Sequence, residues 1–189
     1  MGKGRAEEQG GKTRKTRSDK KVHTAPYIKD EHRVYIYRIA RHLNCPEGDV
    51  GTRLLEAALY DETAIEFFRT YFKRPYVVND RGHTMYPGFE TADANSLIDF
   101  GKEGAGRFKI KLSQPVVEQL TELQIALGLS FFAHAAKLLI EYALRNLTII
   151  QKVAPGMEWV KITRIEEPAE KLVAVTNQKG IPNVWSIFK

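Results

Sequence analysis

The stretch Arg107-Phe108-Lys109-Ile110-Lys111-Leu112-Ser113 decides the fold of this 189-residue chain. Basic and apolar side chains alternate three times in succession, and neighbouring side chains of a β-strand point to opposite faces. This period of two predicts a half-buried strand. Its apolar residues face a core and its basic residues face outward, namely Phe108, Ile110 and Leu112 inward and Arg107, Lys109 and Lys111 outward.

Two helices are predicted directly after this strand. Ser113 is placed to cap the first helix, whose apolar residues recur at spacings of three and four until Gly128 ends it. Ser130 is placed to cap the second helix, which we expect to run to about Leu147. Its apolar arc is wide, so this helix should be buried on more than one side.

An earlier part of the chain follows a similar plan. A shift of 84 residues places Ile36 on Leu120, Leu43 on Leu127, and Leu54-Leu55 on Leu138-Leu139. The pattern is typical of a strand and two helices that occur twice, although any two amphipathic helix pairs can be aligned partly by chance. The match is poorer in the strand, where Pro26 stands in place of Ile110 and removes a hydrogen-bond donor.

Composition divides the chain into five segments. The first is a basic arm that we expect to be disordered, and the third is rich in Gly, Pro, Asn and Asp, which is typical of a linker with irregular structure. The last contains short alternating stretches and predicts a small β-rich extension. The segments are the arm 1–21, a first strand–helix–helix unit with an extra helix at 22–73, the linker 74–106, a second unit at 107–150, and the extension 151–189.

The basic strand, the two helices and the Leu127-Gly128-Leu129-Ser130 turn resemble the ribbon-helix-helix family of DNA-binding proteins. The resemblance covers residues 107–147 well and residues 22–60 weakly. It implies an α+β fold built from tandem ribbon-helix-helix units. In that family two strands pair as an antiparallel ribbon that enters the major groove of DNA, which has room for such a ribbon.

The resemblance also implies roles for individual residues. Arg107, Lys109 and Lys111 match the positions that read base edges, and His23 takes such a position in the first unit. Ser130 and Phe131 match the start of the second helix, where backbone N–H groups bind a phosphate. The first unit differs, because Glu47 and Asp49 in the corresponding helical turn would repel a phosphate.

The positive charge of the chain is concentrated at its N-terminus. The formal net charge is +6, of which residues 1–21 contribute +5. One interpretation is an arm that contacts the DNA backbone, with phosphate contacts from Lys12, Arg14, Lys15, Arg17, Lys20 and Lys21. The alternative is a disordered leader that only keeps the protein soluble.

A single strand–helix–helix unit exposes both an apolar face and a strand edge, so it requires a partner. The two units can pair within one chain as a pseudo-dimer, and the linker is long enough for that. Alternatively, the second unit pairs with its twin in a homodimer. Either form can assemble further on double-stranded DNA, which is the expected partner.

Several function classes are disfavoured by composition. The single cysteine, Cys45, excludes an intrachain disulfide, and no apolar run approaches the ~18 residues of a membrane span. The basic N-terminus does not look like a secretory signal, so we expect a cytoplasmic protein that does not bind a membrane. We find no catalytic constellation, and His42 with Cys45 lacks the second pair of ligands that zinc requires. We therefore expect neither an enzyme nor a metal or cofactor site.

Two functions remain in view. The first is sequence-specific binding of double-stranded DNA, either as a transcriptional repressor or as an accessory protein at a plasmid or mobile-element site, including a conjugative transfer origin. The second is a structural or protein-interaction role, in which the basic tail binds nucleic acid only non-specifically.

Overall fold

The structure is a computed structural model that describes residues 21–79, 83–89, 92–98 and 104–157. It has an α+β fold, with helices packed beneath short antiparallel strand pairs. Of the predicted β-rich extension 151–189, the residues from 158 onward lie outside the described residues. Within these residues the strands are β1 (Val22–Thr24), β2 (Tyr27–Lys29), β3 (Tyr76–Asn79), β4 (His83–Tyr86), β5 (Ala105–Arg107) and β6 (Ile110–Leu112). The helices are α1 (Asp30–Leu43), α2 (Glu47–Leu59), α3 (Glu62–Arg69), α4 (Gln114–Leu127), α5 (Phe132–Arg145) and α6 (Leu147–Val153), with a 3-10 helix at Ala94–Leu97.

Residues 22–29 and 105–112 form one antiparallel ribbon within the chain. Val22 lies opposite Leu112 in the β1–β6 pair, and Tyr27 lies opposite Arg107 in the β2–β5 pair, so the register does not change between the two pairs. The ladder is interrupted at Pro26, which accepts a hydrogen bond from the Phe108 N–H (2.9 Å) but has no N–H to return it. Pro26 therefore divides the predicted continuous strand 107–112 into β5 and β6.

The helices of the two halves correspond closely along the chain. Helices α1 and α4 both have 14 residues and begin 84 residues apart. Both end in a left-handed residue, Asn44 (φ 49°) and Gly128 (φ 64°). In each case the next N–H bonds back to the last turn, from Cys45 to the Ala40 carbonyl (3.0 Å) and from Leu129 to the Gln124 carbonyl (3.1 Å).

The offset changes after this turn, which corrects the sequence alignment. Three residues separate α1 from α2, but four separate α4 from α5. An offset of 85 then aligns all six buried positions of α2 with buried positions of α5. Leu54-Leu55 therefore correspond to Leu139-Ile140 rather than to Leu138-Leu139.

A third helix follows in both halves, which the sequence analysis recognised only in the first. The predicted second helix of the second half stops at Arg145, and Asn146 caps α6 by accepting from the N–H groups of Thr148 and Ile149. In the first half Asp61 caps α3 in the same way, through Thr63 and Ala64. Helix α6 continues to Val153, beyond the predicted end of the unit at residue 150.

The described parts of the segment 74–106 contain more regular structure than its composition indicated. Strands β3 and β4 form a hairpin. The buried Gln119 side chain of α4 donates to the Tyr76 hydroxyl (2.8 Å) and to the Val77 carbonyl (2.8 Å), which fixes the hairpin on the helices. The segment that was predicted to be a linker thus contains a strand pair that the distant Gln119 stabilises.

Each strand packs on the second helix of the opposite half. Strand β6 lies on α2, strand β2 lies on α5, and α2 and α5 pack against each other in the centre of a shared core. Ile28, Ile110 and Leu112 are fully buried between these layers. Neither half closes its core alone, so burial of apolar surface, the dominant favourable term in folding, couples the halves.

The contact between Gly51 of α2 and Phe108 provides a test of this packing. A methyl group at Gly51 would overlap the Phe108 ring and come within 2.9 Å of Ile110 Cγ2. We expect Gly51→Ala to lower the free energy of unfolding by about 1 kcal/mol or more, because overpacking exceeds the gain in helix propensity. Urea unfolding measures this. In a Phe108→Leu background the same change should cost less, and an equal loss in both backgrounds would contradict the packing.

The Asp61 cap predicts a pH dependence of stability. Burial would raise the pKa of the Asp61 carboxyl, but hydrogen bonds from Lys152 (2.6 Å), Thr63 and the Ala64 N–H outweigh burial and hold that pKa below its usual 3.8. The charged form is therefore stabilising above 3.8, and this contribution is lost as the pH falls through the lowered value.

Asp61→Asn keeps a capping oxygen but removes the charge. We expect it to lower stability by about 0.5–1 kcal/mol at pH 7, since Lys152 is largely exposed. The difference should narrow below pH 3.8, as followed by thermal unfolding at several pH values. Lys152→Met is the matched control, in which Asp61→Asn should cost less. A difference that does not depend on pH would count against the ion pair.

Candidate nucleic-acid interface

The ribbon has one buried side and one exposed side. Phe108 is 4% exposed, and Ile110 and Leu112 are fully buried, whereas Arg107, Lys109 and Lys111 are exposed. The predicted alternation is therefore present. Residues two apart along a strand project to the same face, and the register is the same in the two strand pairs, so Arg107, Lys109 and Lys111 form one row across β5 and β6.

The first strand adds further side chains to the exposed side. His23 lies opposite Lys111, and Tyr27 lies opposite Arg107. Arg107 Nε donates to the Tyr27 hydroxyl (3.1 Å), and the guanidinium carbon lies 5.7 Å from the centre of the Tyr27 ring. Tyr27 thus orients Arg107 while the rest of the guanidinium remains available to a ligand.

Tyr27 and Lys29 belong to this face, although the sequence analysis did not include them among the site residues. The 84-residue shift placed Tyr27 on Lys111, and both residues continue the period of two that starts at His23. This sequence signal was weak because Pro26 breaks the strand pattern between His23 and these two residues.

The charge on this face is little compensated. Among the described residues, no carboxylate forms an ion pair with Lys109 or Lys111. Lys21, also exposed, lies near Glu56 of α2. Burial raises the pKa of Glu56, and the charges of Lys21 and Arg53 oppose that rise. Lys109 and Lys111 therefore face solvent, and no carboxylate in the described part of the chain serves as their counterion.

Helix α2 supports the backbone beneath these cations. The Thr52 hydroxyl donates to its own helix at the Gly48 carbonyl (3.0 Å) and also lies within hydrogen-bond distance of the Lys111 carbonyl (3.2 Å). A methyl group at Gly48 would lie 2.9 Å from the Lys109 carbonyl oxygen, so only glycine permits this approach. The backbone of Lys109 and Lys111 is held against a buried helix, which fixes the direction of both side chains.

The turn before α5 differs from the sequence expectation. Phe131, not Ser130, occupies the N-cap position of α5, because the second half has one more residue in this turn, and its side chain forms no capping hydrogen bond. The Ser130 hydroxyl therefore forms no cap, and both residues are exposed, Phe131 at 63%. Phe131 packs edge-on against His134 (5.1 Å between ring centres), and burial lowers the pKa of His134, assisted by the charge of Lys137.

The helix starts differ in charge as predicted. The first turn of α5 contains no acidic residue, whereas Glu47 and Asp49 occupy that of α2 behind Pro46. The positive end of the α5 dipole is thus not neutralised by its own side chains, and the N-terminus of α5 is the more suitable of the two for an anion.

The other predicted residues fall into two groups. Lys12, Arg14, Lys15, Arg17 and Lys20 lie outside the described residues, so their part in the interface stays a prediction. His42 Nε2 lies 3.3 Å from the Pro155 carbonyl, far along the sequence, and Cys45 is a partly buried free thiol. In the described ranges no group of three His, Cys, Asp or Glu side chains is placed to hold a metal ion.

Comparison of the chain with known protein families, curated proteins and solved structures finds no match. Within the ranges that the structure covers, no single helix has the length and apolar character to cross a bilayer; α4 and α5 pass that test only as a pair, and they are bent by 95°. The function is therefore inferred from the geometry of the ribbon.

Proposed function

We propose that this protein binds double-stranded DNA sequence-specifically by inserting the outward face of its ribbon into the major groove. In this proposal the two halves are tandem ribbon-helix-helix units that pair within one chain. The observation that carries the proposal is the row of exposed cations, Arg107, Lys109 and Lys111, on a two-stranded ribbon whose other side packs on the helices through the buried Phe108, Ile110 and Leu112.

The dimensions and chemistry of the ribbon suit the major groove. The groove of B-DNA admits a two-stranded antiparallel ribbon, and its floor offers the O6 and N7 acceptors of guanine, to which Arg and Lys are good donors. The side chains that would read them extend from a backbone fixed by Thr52 and Gly48. Because this backbone is already ordered in the free protein, binding has to immobilise only the side chains, which favours readout of specific bases.

Contacts to the DNA backbone complete the proposal. The N-terminus of α5, with Ser130 and Phe131 exposed beside it, would bind a phosphate and set the position of the ribbon. The basic arm 1–21 would add non-specific affinity along the duplex. The biological role would be that of a transcriptional regulator or of an accessory protein at a plasmid or mobile-element site.

Substitution of Lys109 tests the assignment of the reading residues. We expect Lys109→Ala to lose about 1–3 kcal/mol of preference for the cognate site over random duplex, because a base contact disappears while the ribbon stays folded. Gel shifts with fragments of a genome identify the cognate site, and titrations with both proteins measure the change. Arg145→Ala, which removes an equal charge at the far end of α5, is the control and should retain the preference.

Unchanged affinity and preference in Lys109→Ala would show that Lys109 does not read bases. Failure of the unaltered protein to shift any genomic fragment at moderate salt would reject the DNA-binding proposal itself. That outcome would favour the structural or protein-interaction role instead.

Removal of residues 1–20 tests the role of the arm. Each cation that contacts a phosphate releases a condensed counterion, so we expect the shortened protein to bind all duplexes more weakly and with a smaller salt dependence. The measurement is the slope of log affinity against log salt concentration. The ratio of specific to non-specific affinity should change little. An unaltered slope would assign the arm to solubility alone.

A further inference from the structure

The ribbon has a local twofold axis that passes between residues 25 and 109. The 84-residue offset that relates α1 to α4 also equates residue 25 with residue 109, and the register of the ribbon places these two residues opposite each other. If the two strands were identical in sequence, this axis would relate equal side chains on the two strands, and the two ends of the ribbon would be equivalent. The ribbon would then match the dyad of an inverted-repeat DNA site.

The exposed side of this ribbon does not obey its own axis. At the three central positions the second strand carries a cation, and the residue related to it by the axis is not a permanent cation. These pairs are Arg107 with His23, Lys109 with Ala25, and Lys111 with Tyr27.

At the ends of the ribbon the two strands also differ in charge, but there the cations lie on the first strand. Lys21 and Lys29 stand on the first strand, and the axis relates them to Ala105 and Ser113. Each outward-facing pair of opposite residues therefore contains one cation. The three central cations lie on the second strand, and the outer two lie on the first. A twofold rotation would exchange these strands, so the face has a direction.

From this placement we propose that the target is a non-palindromic DNA site, bound in one orientation. This proposal rests on the proposed function. A guanidinium and an ammonium make different contacts, and Arg107 is the one oriented by Tyr27. One half of the site therefore meets Arg107 with Tyr27 and the other half meets Lys111 with His23, so turning the site end for end would present each half to a different set of side chains.

Selection from a pool of random duplexes tests the proposal with the full chain. We expect the enriched sequence to be non-palindromic and to lose about tenfold or more in affinity when one half is replaced by the inverted copy of the other. An enriched inverted repeat would overturn the inference while leaving the proposed function intact. No enriched sequence at all would overturn the proposed function, and the inference with it.

A variant with restored symmetry sharpens the test. His23→Arg, Ala25→Lys and Tyr27→Lys together give both central strands the same row of cations. We expect this variant to select an inverted repeat built from the half-site that the second strand reads. The charge control is Met85→Lys, Thr148→Lys and Gln151→Lys, three exposed positions away from the ribbon, and it should keep the non-palindromic preference. Circular dichroism establishes that each variant is folded.

Discussion

The pairing of residues 22–29 with residues 105–112 is the constraint on which the rest of the structure depends. A slip of one residue in the second strand would turn Phe108, Ile110 and Leu112 to solvent and the three cations into the core. Burying those charges without partners would cost far more than any ladder hydrogen bond supplies. The register is therefore fixed by side-chain chemistry, and the structure keeps it across Pro26, where one hydrogen bond is missing.

The intertwined helices follow from the same pairing. Each strand covers the second helix of the other half, so the apolar surface of one half is buried only when the other half is present. The third helices extend this dependence, because Lys152 of α6 neutralises the Asp61 cap of α3. A buried contact between His32 of α1 and Glu141 of α5 (3.4 Å) makes a further polar link between the halves.

Sequence reasoning succeeded where structure is decided locally. The alternation at 107–112 fixes which side chains face the core, and Gly128 fixes a left-handed helix end, because both depend on neighbouring residues. It failed at the hairpin of β3 and β4, which depends on the distant Gln119 of α4. It also failed at the helix boundary at Asn146, because this local cap lies inside a run of residues that has the pattern of one apolar helix. The extra residue before α5 altered the offset, which composition alone does not reveal. For the interface, the outward cations were predictable, whereas the contact of Tyr27 with Arg107 required the register.

The two faces of the ribbon differ in how they depart from symmetry. Beneath the ribbon the differences compensate: the large Phe108 lies over Gly51, which has no side chain, whereas the corresponding positions of the other half hold the smaller Thr24 and the larger Ala136. Close packing requires that compensation, because the summed volume must be conserved. On the outward face packing places no demand on exposed side chains, so the fold does not require the differences between the strands there. The unequal rows of cations are therefore free to match a ligand that is itself unequal at its two ends.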